Sequence, residues 1–189
     1  MLFLAAVTFP VWAAIRLAIH VSKAKENQHL SITREFLLAA FLLYLICLAA
    51  VTIVPLPISR FRSSRSEDIN LIPVLHSVKC LTQREAGVPE SVKFCLENIL
   101  GNIALFFPLG VLLPLVGNRV NAFHKVFAAA VCGSLGIEVT QLLSRQMGIY
   151  RTVDIDDVLL NIIGASLGYV CYAVVRHYAN ADKGEQEGL

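Results

Sequence analysis

The chain has 189 residues, 56% of them hydrophobic and only 16% charged, and its mean hydropathy is +0.65. That balance argues against an ordinary soluble domain and for a compact, all-α polytopic membrane protein. A net charge of +2 is too small to favour nucleic acid as a partner, and no Gly-rich phosphate loop, CxxC pair or HExxH helix is present.

A bilayer core takes about 20 apolar residues per helix. On that scale the sequence predicts a bundle of about five transmembrane helices, at roughly 1–21, 36–58, 98–117, 126–143 and 158–175. The first begins at Met1 with no basic stretch ahead of it and no A-x-A site, so it reads as a retained helix. The second, FLLAAFLLYLICLAAVTIVPLPI, carries no charge. With a short basic loop between them, these two form an N-terminal region, 1–60. A polar loop, 61–97, follows; it is interrupted by the apolar stretch INLIPVL, which holds Asn70 and Pro73. That stretch is either a re-entrant segment or a loop folded onto the top of the bundle. The third span has Asn98 and Asn102 in its first turns, and Pro108 and Pro114 are expected to kink it. The fourth carries Glu138, Gln141 and Arg145 near its exit. The fifth is preceded by Asp154, Asp156 and Asp157, with Asn161 one turn in. The last residues, 177–189, read as a mobile tail.

Alternating spans put the polar residues of the third, fourth and fifth helices at one membrane face. Their spacings support shared stripes: Asn98 and Asn102 at i, i+4; Glu138, Gln141 and Arg145 at i, i+3, i+7; Asp154, Asp157 and Asn161 at i, i+3, i+7. Clustered polar groups can satisfy one another and reach water, which scattered ones in lipid cannot. Gly164 and Gly168, with Gly133 and Gly136, suggest close helix approach, and the short loop between the last two spans suggests that those two are neighbours.

Orientation is nearly balanced, because the sixteen Lys and Arg divide equally between the two faces. Arg16, Lys23 and Lys25 follow the first span rather than precede it, which favours an outside N-terminus and an inside C-terminus; RFRSSR after the second span argues the other way. Cys47, Cys132 and Cys171 lie within spans as small apolar residues, whereas Cys80 and Cys95 share the polar loop. Those two would pair if their side faced an oxidising space, although two unpaired thiols are the simpler expectation.

NILGNIALFFPLGVLLPL, then EVTQ, then Arg151, then DIDDVLLNIIGASLG, with INLIPVL upstream, resemble the signatures of the VanZ-like family, over roughly residues 69–176. The resemblance places the family's polar residues on Asn70, Asn102, Glu138, Gln141, Arg151, Asp154, Asp157 and Asn161, and its structural residues on Pro73, Pro108, Gly110, Gly164 and Gly168. The three-helix signature region is 98–176. Val74, where an aromatic is common, and the additional carboxylate of Asp156 depart from the pattern. The resemblance implies a multi-pass protein of the bacterial cytoplasmic membrane. The family takes its name from a member linked to teicoplanin resistance, which implies a cell-envelope role.

Two classes of function fit these residues. In the first, the polar cluster recognises a membrane lipid head group, a lipid-linked cell-wall precursor or a glycopeptide-related ligand. In the second, Glu138 or Asp157 acts as a base on an envelope lipid, or helps hold a divalent cation. No cofactor and no metal site is expected from the sequence, and Thr140, Ser144 and Thr152 have no histidine beside them to make a nucleophile. A third, structural reading makes the cluster a network that only fixes helix packing. Glu138, inside an apolar run, reads as functional before structural; Asp154 and Asp156 read as caps before chemistry.

Overall fold

The structure is a computed structural model that describes Trp12, Arg16 and residues 31–53, 69–70, 89–117, 119–146 and 153–186. Its described elements are α1 (Ile32–Ile53), β1 (Ile69–Asn70), α2 (Pro89–Val116), α3 (Phe123–Gln146), β2 (Val153–Asp154) and α4 (Ile155–Gln186). The chain divides into two compact units, Met1–Ile58 and Ser59–Leu189.

Four of the described helices are long and apolar enough to cross a membrane: Ile32–Thr52, Cys95–Val116, Phe123–Ser144 and Ile155–Asp182. The protein is an all-helical, multi-pass membrane protein; its only β structure among the described residues is a two-residue bridge. The span expected at 1–21 lies outside the described residues except for Trp12 and Arg16, both helical.

In the first unit, α1 starts at Ser31, whose carbonyl accepts from the N–H groups of Arg34 and Glu35. Glu35 lies in the first turn, where the helix dipole favours an anion. Arg16 grips it with a fork: Nε donates to Oε2 at 2.7 Å, and Nη2 pairs with Oε1. This ion pair fixes residue 16 to the start of α1. Ile32, Phe36, Leu43 and Val51 remain exposed, as expected of side chains that face lipid.

The second unit is built on α2 and α4, which run parallel and pack closely. Gly164 sits on the carbonyl of Ile103, Gly168 on that of Phe107, and Gly110 on the backbone of Ala165 and Tyr169. At all three a Cβ would overlap backbone atoms, so only glycine permits this separation. The close partner of Gly164 and Gly168 is thus α2. The neighbouring helix α3 also packs on α4, as its short connection implied, but not through glycine pairs: Gly136 has open space, and Gly133 accommodates the ring of Phe106. Phe106, Val126, Ala130, Val158 and Ala165 form the buried core. Pro108 and Pro114 lie within α2, which continues through both. Helix α4 runs to Gln186, so most of the stretch read as a tail is helical.

The end of the unit opposite the acidic residues is lined with aromatic and basic groups. Tyr169 packs edge-on against Phe123, with centroids 5.5 Å apart, and donates its hydroxyl to the Asn121 carbonyl at 3.1 Å. Arg176 donates to the Tyr172 hydroxyl at 2.7 Å, and Lys125 to the Arg119 carbonyl at 2.6 Å. Such residues anchor helices at a membrane–water interface.

Candidate functional site

The first turns of α2 and α4 and the last turns of α3 meet at the other end. Asp154 is the N-cap of α4: its Oδ1 accepts from the backbone N–H of Asp156 at 3.0 Å. In a capping box the third helical residue would reach back to the N–H of the cap. Here that residue is Asp157, and it points elsewhere, accepting at Oδ1 from Nδ2 of Asn102 at 2.6 Å and from Nδ2 of Asn98 at 3.4 Å. Glu138 of α3 takes over the vacant role, and its Oε2 accepts from the Asp154 N–H at 3.2 Å. The box is therefore shared between two helices, while Asp157 ties α4 to α2. One start signal joins all three spans.

One turn deeper, Asn161 and Ser134 continue the α3–α4 seam. Nδ2 of Asn161 donates to Oγ of Ser134 at 2.8 Å. Asn161 is 3% exposed and Ser134 fully buried, and Oδ1 of Asn161 has no hydrogen-bond partner among the described residues. An unsatisfied acceptor at this depth is strongly unfavourable unless a donor fills it.

The bridge brings in a fourth segment. β1 and β2 pair in parallel, Ile69 with Val153 and Asn70 with Asp154. The backbone of the stretch containing Asn70 thus lies directly beside the cap of α4. Four of the expected polar positions, Asn102, Glu138, Asp154 and Asp157, are joined by direct hydrogen bonds or through the cap, and Asn161 lies immediately beneath them. Gln141 follows Glu138 by one turn and is half-buried. Arg151 and Pro73 lie outside the described residues, as does the side chain of Arg145. Ser134 was not singled out in the sequence; its only signal is its position four residues before Glu138, on the same helical face.

Glu138, Asp154 and Asp156 are buried and Asp157 half-buried. The hydroxyls of Thr140 and Ser144 donate to carbonyls of their own helix, of Gly136 and Gln141, each at 2.7 Å. Among the described residues no group of three His, Cys, Asp or Glu is arranged to hold a metal ion. Cys95, one turn before Asn98, is disulfide-bonded, which corrects the simpler expectation of a free thiol; Cys80 lies outside the described residues. Cys47, Cys132 and Cys171 are free.

Membrane-spanning helices with interhelical polar bonds concentrated at one end define an integral membrane protein with a polar cluster at one face. The VanZ/LLP1 family model matches residues 41–176, most of the chain, and the protein belongs to that family. The match begins in α1, upstream of the limit near residue 69 that the motifs alone suggested. No curated protein and no solved structure matches the chain.

Proposed function

We propose that the polar end of α2, α3 and α4 recognises the head group of a membrane lipid or lipid-linked precursor and that the protein serves the cell envelope in this way. The observation that carries the reading is Asn161, a buried amide whose Oδ1 has no partner among the described residues, one turn deeper than the polar cluster. Caps and interhelical bonds account for Asp154, Asp157 and Glu138 as structure, but a structural network gains nothing from a carbonyl left unpaired inside the bundle. Exposed Leu, Ile and Val side chains on the outer faces of the same helices, such as Leu100, Leu142 and Ile163, offer apolar surface for acyl chains.

The same reading orients the site. A disulfide at Cys95 requires an oxidising space, and the opposite end carries Arg119, Lys125 and Arg176. Both observations favour a polar cluster at the outer face and a C-terminus in the cytoplasm of a bacterial cell.

The test uses Glu138→Gln and Asp157→Asn, each purified in detergent beside the unmodified chain. Both substitutions keep an acceptor for the existing bond, so unfolding temperatures are expected to change little. Native mass spectrometry is expected to show loss of a specific co-purifying lipid. Retention of that lipid by both variants would refute the reading, and collapse of stability in both would make the cluster a structural staple.

A further inference from the structure

We propose that the buried pair Ser134 and Asn161 receives a neutral hydroxyl, carried by a glycerol or sugar head group of a lipid or offered by a free polyol; the inference rests on the head-group reading above and names the group that reaches deepest into the site. The pair lies on the seam between α3 and α4, and its hydroxyl behaves unlike the others in the spans. Thr52, Thr140, Ser144 and Ser166 each donate to a carbonyl of their own helix, at 2.7–2.8 Å. That is how a lone hydroxyl is ordinarily satisfied within a helix. Ser134 makes no such bond: its Oγ accepts from Nδ2 of Asn161 at 2.8 Å, and its own proton has no acceptor among the described residues. Oδ1 of Asn161 has no donor there either.

One donor and one acceptor are thus unspent across this seam. Rotating the Asn161 amide by half a turn exchanges their owners and keeps the deficit. Ser134 then donates to Oδ1, and Nδ2 and the Ser134 lone pairs are left over. A phosphate or carboxylate oxygen supplies only acceptors and an ammonium only donors, whereas a hydroxyl supplies both. The surroundings also favour a neutral group. Ala130 and Ala165, one turn further inward on the two helices, are buried, as is Phe106, whose ring lies against Gly133. An ion at this depth would lose its hydration at high cost. Because Ser134 and Asn161 are closed to solvent, a group that pairs with them has to part α3 from α4 at the polar end, where Oε2 of Glu138 accepts from the Asp154 N–H. A hydroxyl on a head group already held at that end brings its other contacts to this step, whereas a lone water brings only its own hydrogen bonds.

The experiment titrates the detergent-purified full chain with phosphatidylglycerol and with phosphatidylpropanol, which carries the same charge and acyl chains and lacks the head-group hydroxyls. Bound lipid is counted by native mass spectrometry. Phosphatidylglycerol is expected to bind more tightly by about tenfold or more, because its deoxy analogue leaves a buried donor and acceptor unpaired. Asn161→Leu and Ser134→Ala are each expected to shrink that ratio towards one. Thr140→Ala and Ser166→Ala, which remove hydroxyls that serve their own helices, are expected to keep it. Displacement of phosphatidylglycerol by free glycerol would show that the polyol alone suffices; dependence on the acyl chains would assign the site to the lipid-borne hydroxyl.

Equal affinity for the two lipids would overturn the inference. So would a ratio unchanged in both Asn161→Leu and Ser134→Ala, the result expected if the hydroxyl is met above the pair or if a buried water alone completes it. Because the ratio is read first on the unmodified protein, the inference stays testable even if a variant does not fold. Selective binding of phosphatidylethanolamine that Glu138→Gln and Asp157→Asn abolish, with no preference between the first two lipids, would leave a head-group site and remove the hydroxyl. Binding of all three lipids alike, unchanged in those variants, would remove both.

Discussion

Glu138 shows how a single carboxylate can do the work of a missing one. Asp157 occupies the position that normally closes a capping box, but Asn102 and Asn98 hold it towards α2, and Glu138 reaches across from α3 to accept the Asp154 N–H. The consequence is measurable by chemical unfolding in detergent. Glu138→Gln keeps an acceptor and is expected to be nearly neutral, whereas Glu138→Leu strands a buried N–H and is expected to cost about 1–3 kcal/mol. Asp154→Ala removes the cap and is expected to cost about 1 kcal/mol. If Glu138→Gln were as destabilising as Glu138→Leu, the shared box would be the wrong explanation. The capping tendency of Asp154 was legible in the sequence, because an acid directly before an apolar helix is a local signal. The role of Glu138 was not, since it depends on a backbone group sixteen residues away. Ser134 was equally hidden, being one hydroxyl in an apolar run until Asn161 is placed opposite.

Helix pairing rests on glycine rather than on hydrophobic difference, because lipid is as apolar as leucine. Gly164→Ala, Gly168→Ala and Gly110→Ala each force a methyl group into a neighbouring backbone and should push α2 and α4 apart. Each is expected to cost about 1–3 kcal/mol, as overpacking does. Gly136→Ala meets nothing within 4 Å and is expected to be neutral or to stabilise by up to about 1 kcal/mol, since alanine is the better helix former. Thermal unfolding of these four variants checks the assignment; equal effects at Gly136 and Gly164 would contradict it. Hydropathy revealed where the spans lie, but it marks only the part of a helix that sits in lipid. Helix α2 starts at Pro89, through the mixed stretch PESVKFCLE, with proline at the first helical position where its missing N–H is harmless. Helix α4 continues past the membrane through HYANADKGEQ. The Gly-x-x-x-Gly pattern announced a close approach without naming the partner, because small residues are complementary to any backbone.

At the scale of the whole molecule, the second unit has two unlike ends. One gathers buried acids, asparagines and a disulfide-bonded cysteine; the other carries Tyr169, Tyr172, Arg176 and Lys125 in interfacial contacts. If the first end faces an oxidising space, Cys95 is expected to resist a maleimide in intact membranes until a reductant is added, while Cys47, Cys132 and Cys171 label independently of reduction once the membrane is dissolved. Labelling of Cys95 without reduction would remove this support for the orientation. The convergence of three spans was legible from alternation along the sequence. The pairing of Asn70 with Asp154 was not, because a two-residue bridge between distant segments leaves no periodic trace. The central claim, that one end of this bundle holds a lipid head group, is tested most directly by photo-crosslinking in native membranes with a lipid whose head group carries the reactive label. Peptide mapping is expected to place the adducts on residues 98–102, 134–141 and 154–161, with Glu138→Gln reducing them. Adducts confined to the opposite, aromatic end, or spread evenly over both, would contradict the account.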